Sequence, residues 1–168
     1  IIIPIRDIYN SLVGIRCRNL DEETIELYGK YGVYTDSLSK IMYKCQTGKL
    51  LYGLNLNKDK IIECKKIIIV EGEKSVLKSK TWFGENDITV ASYGANLTNY
   101  QIELIKSLGV TDLIFMYDKE IDEKIRNKIE KIYKKCALNF NVWYVVDEDN
   151  LLNEKDSPLD KGLDIYRK

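Results

Sequence analysis

The sequence predicts an α/β fold: a mostly parallel central sheet flanked by helices, preceded by a small α+β subdomain. Three observations predict it. From residue 66 onward, short apolar runs alternate with segments of helical spacing, the signature of βαβ units. Two of those runs end in acidic clusters, Glu71-Gly72-Glu73-Lys74 and Asp118-Lys119-Glu120, where a strand would give way to a helix. Residues 1–62 lack the alternation, which sets a basic N-terminal subdomain over 1–62 apart from a sheet domain with a C-terminal extension over 63–168.

Taken in order, residues 1–5 and 11–16 are short β-like runs around a turn at 7–10. Residues 21–30 begin Asp-Glu-Glu-Thr, a helix-start composition. The rest of this region reads as loop, with Gly32, Gly48 and Gly53. Residues 66–70 form a strand, 74–82 a helix and 88–92 a second strand, followed by the loop Tyr93-Gly94-Ala95-Asn96. Ile102, Leu104, Ile105 and Leu108 have helical spacing over 98–108, with a cap at Asn96 or Thr98. A third strand covers 113–117. Ile121, Ile125, Ile129 and Ile132 stripe an amphipathic helix over 120–136. A fourth strand covers 142–146, and the acidic tail is irregular until a short helix after residue 160.

The 168 residues suit about one domain, and a 45% hydrophobic content supports a packed core. Formal net charge is zero, so bulk charge selects no partner. Residues 1–70 carry 11 Lys/Arg against 8 Asp/Glu, a mild basic excess that suits a nucleic-acid ledge and equally suits chance. The chain has no histidine, which excludes a Ser-His-Asp triad, a histidine base and histidine metal ligands. Cys17, Cys45, Cys64 and Cys136 form no C-x-x-C pair, so no zinc site is expected and the thiols read as reduced cysteines of a cytoplasmic protein. No apolar segment of membrane-spanning length and no signal-peptide pattern occur, so no membrane association is expected. The opening Ile1-Ile2-Ile3-Pro4 predicts a piece of a longer protein.

In the first acidic cluster, Gly72 would allow a sharp turn that aims Glu71 over the sheet edge. The bland reading is that Glu71 and Glu73 favour a helix N-terminus. In the second, Asp118 and Glu120 share one side of an extended chain, as a metal-binding carboxylate pair would. They equally suit a helix cap and first turn, and a phosphoacceptor aspartate is a third option. Together the clusters say more. On neighbouring strands they would come within metal-bridging reach, and a bound Mg²⁺ would relieve the repulsion between carboxylates.

Val70-Glu71-Gly72-Glu73-Lys74, Ser92-Tyr93-Gly94 with Asn96-Leu97-Thr98, and Tyr117-Asp118-Lys119-Glu120 resemble, in order and spacing, the glutamate, Ser-x-Gly and Asp-x-Asp motifs of the Toprim domain. The pattern is similar to that of bacterial-type DNA primases and the primase halves of phage primase-helicases. Upstream, residues 3–7, 13–18 and 49–54 resemble the subdomain that precedes Toprim in primases and is absent from topoisomerases and small Toprim nucleases. Downstream, residues 155–160 resemble the Asp-Pro segment that closes the primase Toprim fold. Three positions depart from the family pattern: Ser75 replaces an aspartate, Glu120 replaces the second acid of Asp-x-Asp, and Ile121-Asp122 replaces Ala-Gly.

The resemblance implies a divergent phage or mobile-element primase core that makes RNA primers on single-stranded DNA from ribonucleoside triphosphates. Glu71, Asp118 and Glu120 would be the catalytic acids holding Mg²⁺ or Mn²⁺, with Asp122 an extra ligand. Arg16, Arg18, Lys49 and Lys74 are candidates for phosphate contacts, each weighed against solvated surface charge, and Tyr93 for stacking on a base. A replicative helicase would be engaged through parts not present here. Without the zinc module, the isolated piece is expected to bind metal and nucleotides yet prime poorly. The competing functions are a Toprim phosphodiesterase, nuclease or topoisomerase-like, and a degenerate nucleic-acid-binding module.

Overall fold

The computed structural model describes residues 1–34 and 46–167; the loop reading of 35–45, and Cys45 with it, falls outside them. The chain forms two compact units, Ile1–Gln46 and Thr47–Lys168.

The first unit is an antiparallel sheet of β1 (Ile2–Arg6), β2 (Leu12–Arg18) and β3 (Tyr31–Val33), with α1 (Glu22–Tyr28) between the last two strands. The β1–β2 turn is tied by the Asp7 carboxylate, which accepts the amides of Tyr9 and Ser11, both at 2.9 Å. Asp21 caps α1 by accepting the Thr24 amide at 2.8 Å. Ile3 and Ile5 are its buried side chains on β1.

The second unit runs from a 3-10 turn at Thr47–Lys49 through α2 (Leu54–Cys64), β4 (Lys66–Val70), α3 (Glu73–Phe83), β5 (Thr89–Ala91), α4 (Asn99–Ser107), β6 (Asp112–Phe115), α5 (Glu123–Cys136), β7 (Asn141–Tyr144) and α6 (Leu163–Tyr166). The strand order is β5-β4-β6-β7, and every pair is parallel. Ile67, Ile69, Val90, Leu113 and Phe115 are buried in it, as continuous apolar strands of a sheet covered on both faces should be. The chain first steps from β4 to β5, then crosses back over β4 to β6. The strand order therefore reverses between β4 and β6, and in open α/β sheets ligands bind outside the carboxyl ends at such a point.

The mixed architecture agrees with the sequence pattern, with three differences. First, residues 54–64 are helical where the pattern reads as loop. Gly53 opens α2 in the left-handed region (φ 84°), and Asn57 faces inward. Its amide donates to Asp87 Oδ2 at 2.9 Å and to the Thr89 carbonyl at 2.8 Å. Ser79 donates to Asp87 Oδ1 at 2.8 Å, completing a buried polar network that ties α2 and α3 to β5. A buried polar group bonded in this way costs little, whereas an unpaired one would be destabilising. Because Tyr52 also pairs with Ala91, the compact unit begins at Thr47, ahead of the division the pattern places after residue 62.

Second, α5 starts at Glu123, so 116–122 is irregular and Ile121, counted in the helical stripe, is 59% exposed. Third, Gly72 is not needed for a tight turn: its φ is −126°, and a Cβ there would meet nothing within 4 Å. By contrast α4 begins as read, with Thr98 and Gln101 forming a capping box. No helix among the described residues is long and apolar enough to cross a membrane.

Candidate functional site

β4 and β6 lie side by side with Ile69 opposite Phe115, so the residues that follow them, Glu71 and Asp118, leave the sheet at the same edge. The Asp118 amide donates to Glu71 Oε1 at 3.4 Å. Burial pushes the Glu71 carboxyl up to about 7; the negative charges of Asp118 and Glu120 add to the rise, and the Asp118 amide partly offsets it. Glu71 is thus a carboxylic acid poised near neutrality among other carboxylates.

The loop after β5 closes one side of this edge. Ser92 is buried; its hydroxyl lies 2.8 Å from the Gly94 carbonyl and 3.3 Å from the Tyr117 hydroxyl. The Gly94 amide donates to the Glu71 carbonyl at 2.9 Å, so this loop braces the backbone of the glutamate itself. Tyr93 holds a φ of 64°, a region costly for a non-glycine residue, and sets its ring edge-on against Tyr52 with centroids 6.4 Å apart. Desolvation drives the buried Tyr117 phenol well above the ordinary tyrosine range, and Glu71 nearby adds to the rise.

The other sequence-predicted residues are placed as follows. Glu120 accepts the Asp122 amide at 3.0 Å. Asp122 caps α5, accepting the amides of Lys124 at 2.8 Å and Ile125 at 3.2 Å. The helix cap is therefore Asp122 and not Asp118, and the first-turn acid is Glu123 and not Glu120. Lys74 pairs with Asp160 of the tail. Lys49 lies over the Tyr100 ring at 5.9 Å. In the first unit, the Arg16 and Arg18 guanidinium carbons lie 5.0 and 5.4 Å from the Tyr31 ring centre, and Arg18 also donates to the Tyr31 hydroxyl at 2.8 Å. The structure thus brings Glu71, Asp118 and Glu120 into electrostatic contact. Among the described residues, no three His, Cys, Asp or Glu side chains converge as a set that could hold a metal ion.

Sequence reasoning missed Tyr31, Tyr117 and Tyr133 as members of these clusters. Tyr133 follows Ile132 on the α5 stripe, and burial raises its phenol to about 12, with Tyr144 and Glu71 adding to the rise. Its position directly beside the apolar stripe was the available signal.

No family model matches the chain. A search of curated proteins finds an SPbeta prophage-derived uncharacterized protein, YorJ, of Bacillus subtilis, 37% identical over 96% of this chain. The DNA primase of Chlamydia muridarum is 30% identical over 70% of it. The chain spans 46% of the prophage protein and 18% of the Chlamydia primase. Among solved structures, the zinc-binding and RNA polymerase domains of the Aquifex aeolicus primase superpose with a TM-score of 0.68 and 26% identity, over 94% of this chain and 35% of that one. The chain resembles the catalytic core of DNA primases. The primase-like fold includes both the four-stranded parallel sheet and the small antiparallel sheet ahead of it.

Proposed function

We propose that this chain is the catalytic core of a DNA primase, joining ribonucleotides on a single-stranded DNA template by metal-dependent nucleotidyl transfer. The observation that carries the proposal is the Glu71–Asp118–Glu120 edge at the β4/β6 reversal, where Glu71 is raised to about 7 among carboxylates. All-oxygen, carboxylate-rich donors suit Mg²⁺ or Mn²⁺. Glu71, Asp118 and Glu120 would hold the ion once their side chains draw closer together than the metal-free arrangement places them, and Asp122 would join them only by giving up its place at the start of α5. An ion held by these residues would supply Lewis acidity for the attacking hydroxyl and positive charge for the triphosphate.

The chain's own residues supply the rest. The Ser92–Gly94 loop fixes the Glu71 backbone at the sheet edge. Arg16 and Arg18, held over Tyr31, offer the template two cations and an aromatic face. Similarity to a primase sequence, beyond shared fold, favours this reaction over strand cleavage. The engagement of Glu120 and Asp122 with backbone amides favours one other reading, a nucleic-acid-binding module without catalysis.

A primer-synthesis assay on single-stranded DNA with ribonucleoside triphosphates and Mn²⁺ decides between them. Slow synthesis by the wild type that falls at least about 100-fold in Glu71→Gln and in Asp118→Asn is expected, since each removes a group at the reacting centre. Nicking of the template without synthesis would point to a phosphodiesterase, and neither activity to the binding module.

A further inference from the structure

A groove of about 710 Å³ opens directly beside the carboxylate edge, between α5, the end of β7 and the tail. Asp118 and Glu120 line one part of it, and Tyr133 and Tyr144 another. The two tyrosine rings are stacked, with centroids 5.3 Å apart and planes 10° from parallel. Tyr133 leans in turn on Phe115 of the core at 4.7 Å. The three rings make a column rising from the buried sheet to the groove. At its outer end Tyr144 is 59% exposed.

A ring fixed on one face by a neighbour and open on the other is a stacking platform, and it loses little freedom when a flat ligand settles on it. Arg126 also lines the groove and is exposed, offering a cation to an anionic ligand. A ligand able to use every wall has an aromatic face at one end and phosphates at the other. The carboxylates at the metal end would repel those phosphates without a divalent ion.

We propose that the Tyr133–Tyr144 column is the base-stacking subsite for a nucleoside triphosphate whose phosphates reach toward the Glu71–Asp118–Glu120 edge. This rests on the reading of that edge as a metal site. Stacking is tolerant of base identity, so the subsite is expected to accept all four ribonucleotides alike.

The test is calorimetric titration of the chain with ATP, GTP, CTP and UTP in the presence of Mn²⁺, beside titrations with Mn²⁺ alone and with inorganic triphosphate. Tyr144→Leu is expected to weaken all four nucleotides by roughly 5- to 100-fold, the effect of losing one stacked base. Its affinity for Mn²⁺ and for triphosphate should match the wild type, and Tyr144→Phe should restore nucleotide binding. Because Tyr144 is a surface residue, the leucine variant should fold. Unchanged nucleotide affinity in Tyr144→Leu, with loss in Glu71→Gln, would overturn the subsite and leave the metal site standing. Loss in Tyr144→Leu with no effect of Glu71→Gln would uphold the stacking platform and overturn the metal site. Wild type that takes up Mn²⁺ but no nucleotide at millimolar concentration would overturn the subsite alone.

Discussion

Metal-free Glu71→Gln protein is expected to be more stable than the wild type at about pH 8 and nearly equal to it at about pH 4. In the unfolded chain the carboxyl titrates near its ordinary value of 4.5, and in the native state burial raises it to about 7. Between these values the native state holds more protons than the unfolded state, so stability falls as pH rises from the lower toward the upper and levels off beyond it. Below both values the carboxyl is neutral in both states, and Gln costs or gains little. Burial is the largest cause, with Asp118 and Glu120 next, and glutamine escapes all of them. Because Glu71 is only half-buried, solvent screening reduces the gain, and about 1–2 kcal/mol at the higher pH is expected. Urea unfolding in chelator at the two pH values measures it. An equal increment at both would show that carboxylate repulsion is not its source. Enzymes commonly retain such a destabilised acid where function needs it.

Gly53→Ala should be among the most damaging single changes in the second unit. A Cβ at this position would lie 2.5 Å from Val76 Cγ1 and 3.4 Å from the Thr89 carbonyl oxygen, on a backbone with φ of 84°. Neither neighbour can retreat easily, since Val76 is fully buried and Thr89 belongs to β5. Overpacking and a left-handed alanine together cost about 2–4 kcal/mol. Gly72→Ala is the control: with open space and an ordinary φ it should cost less than about 1 kcal/mol. Denaturant midpoints of the two variants test this directly, and similar losses would contradict the packing around α2.

These two glycines also mark how far the sequence could be read. Gly72, inside a motif, invited a backbone explanation that the structure does not support. Gly53, in the upstream segment 49–54 and not in an acidic cluster, carries the real constraint because it starts a helix whose pattern is poor. Asn55, Asn57, Lys58, Asp59 and Lys60 interrupt the apolar spacing of α2, and its inward Asn57 is satisfied by Asp87, Thr89 and Lys80, which lie 23 to 32 residues away in the chain. Such a partner leaves no local trace. The strands were legible because 67–70 and 113–116 are unbroken apolar runs, and their acidic ends identified the edge. Their adjacency came from the crossover of β5 to β6 over β4, which strand content alone does not specify. The tyrosine column joins β6, α5 and β7 in the same way, through packing between elements distant in sequence. The role of Asp122 was hidden by Ile121, whose spacing drew the helix start too early.

Mn²⁺ affinity as a function of pH tests the central claim most directly. Titration of the wild type at about pH 6 and about pH 8 should give tighter binding at the higher value, because the ion must displace the proton that Glu71 holds up to about 7. Glu71→Gln and Asp118→Asn should both bind weakly, with the pH dependence flattened in the first. Equal Mn²⁺ affinity in all three proteins, or the same affinity at both pH values in the wild type, would contradict a metal site at this edge.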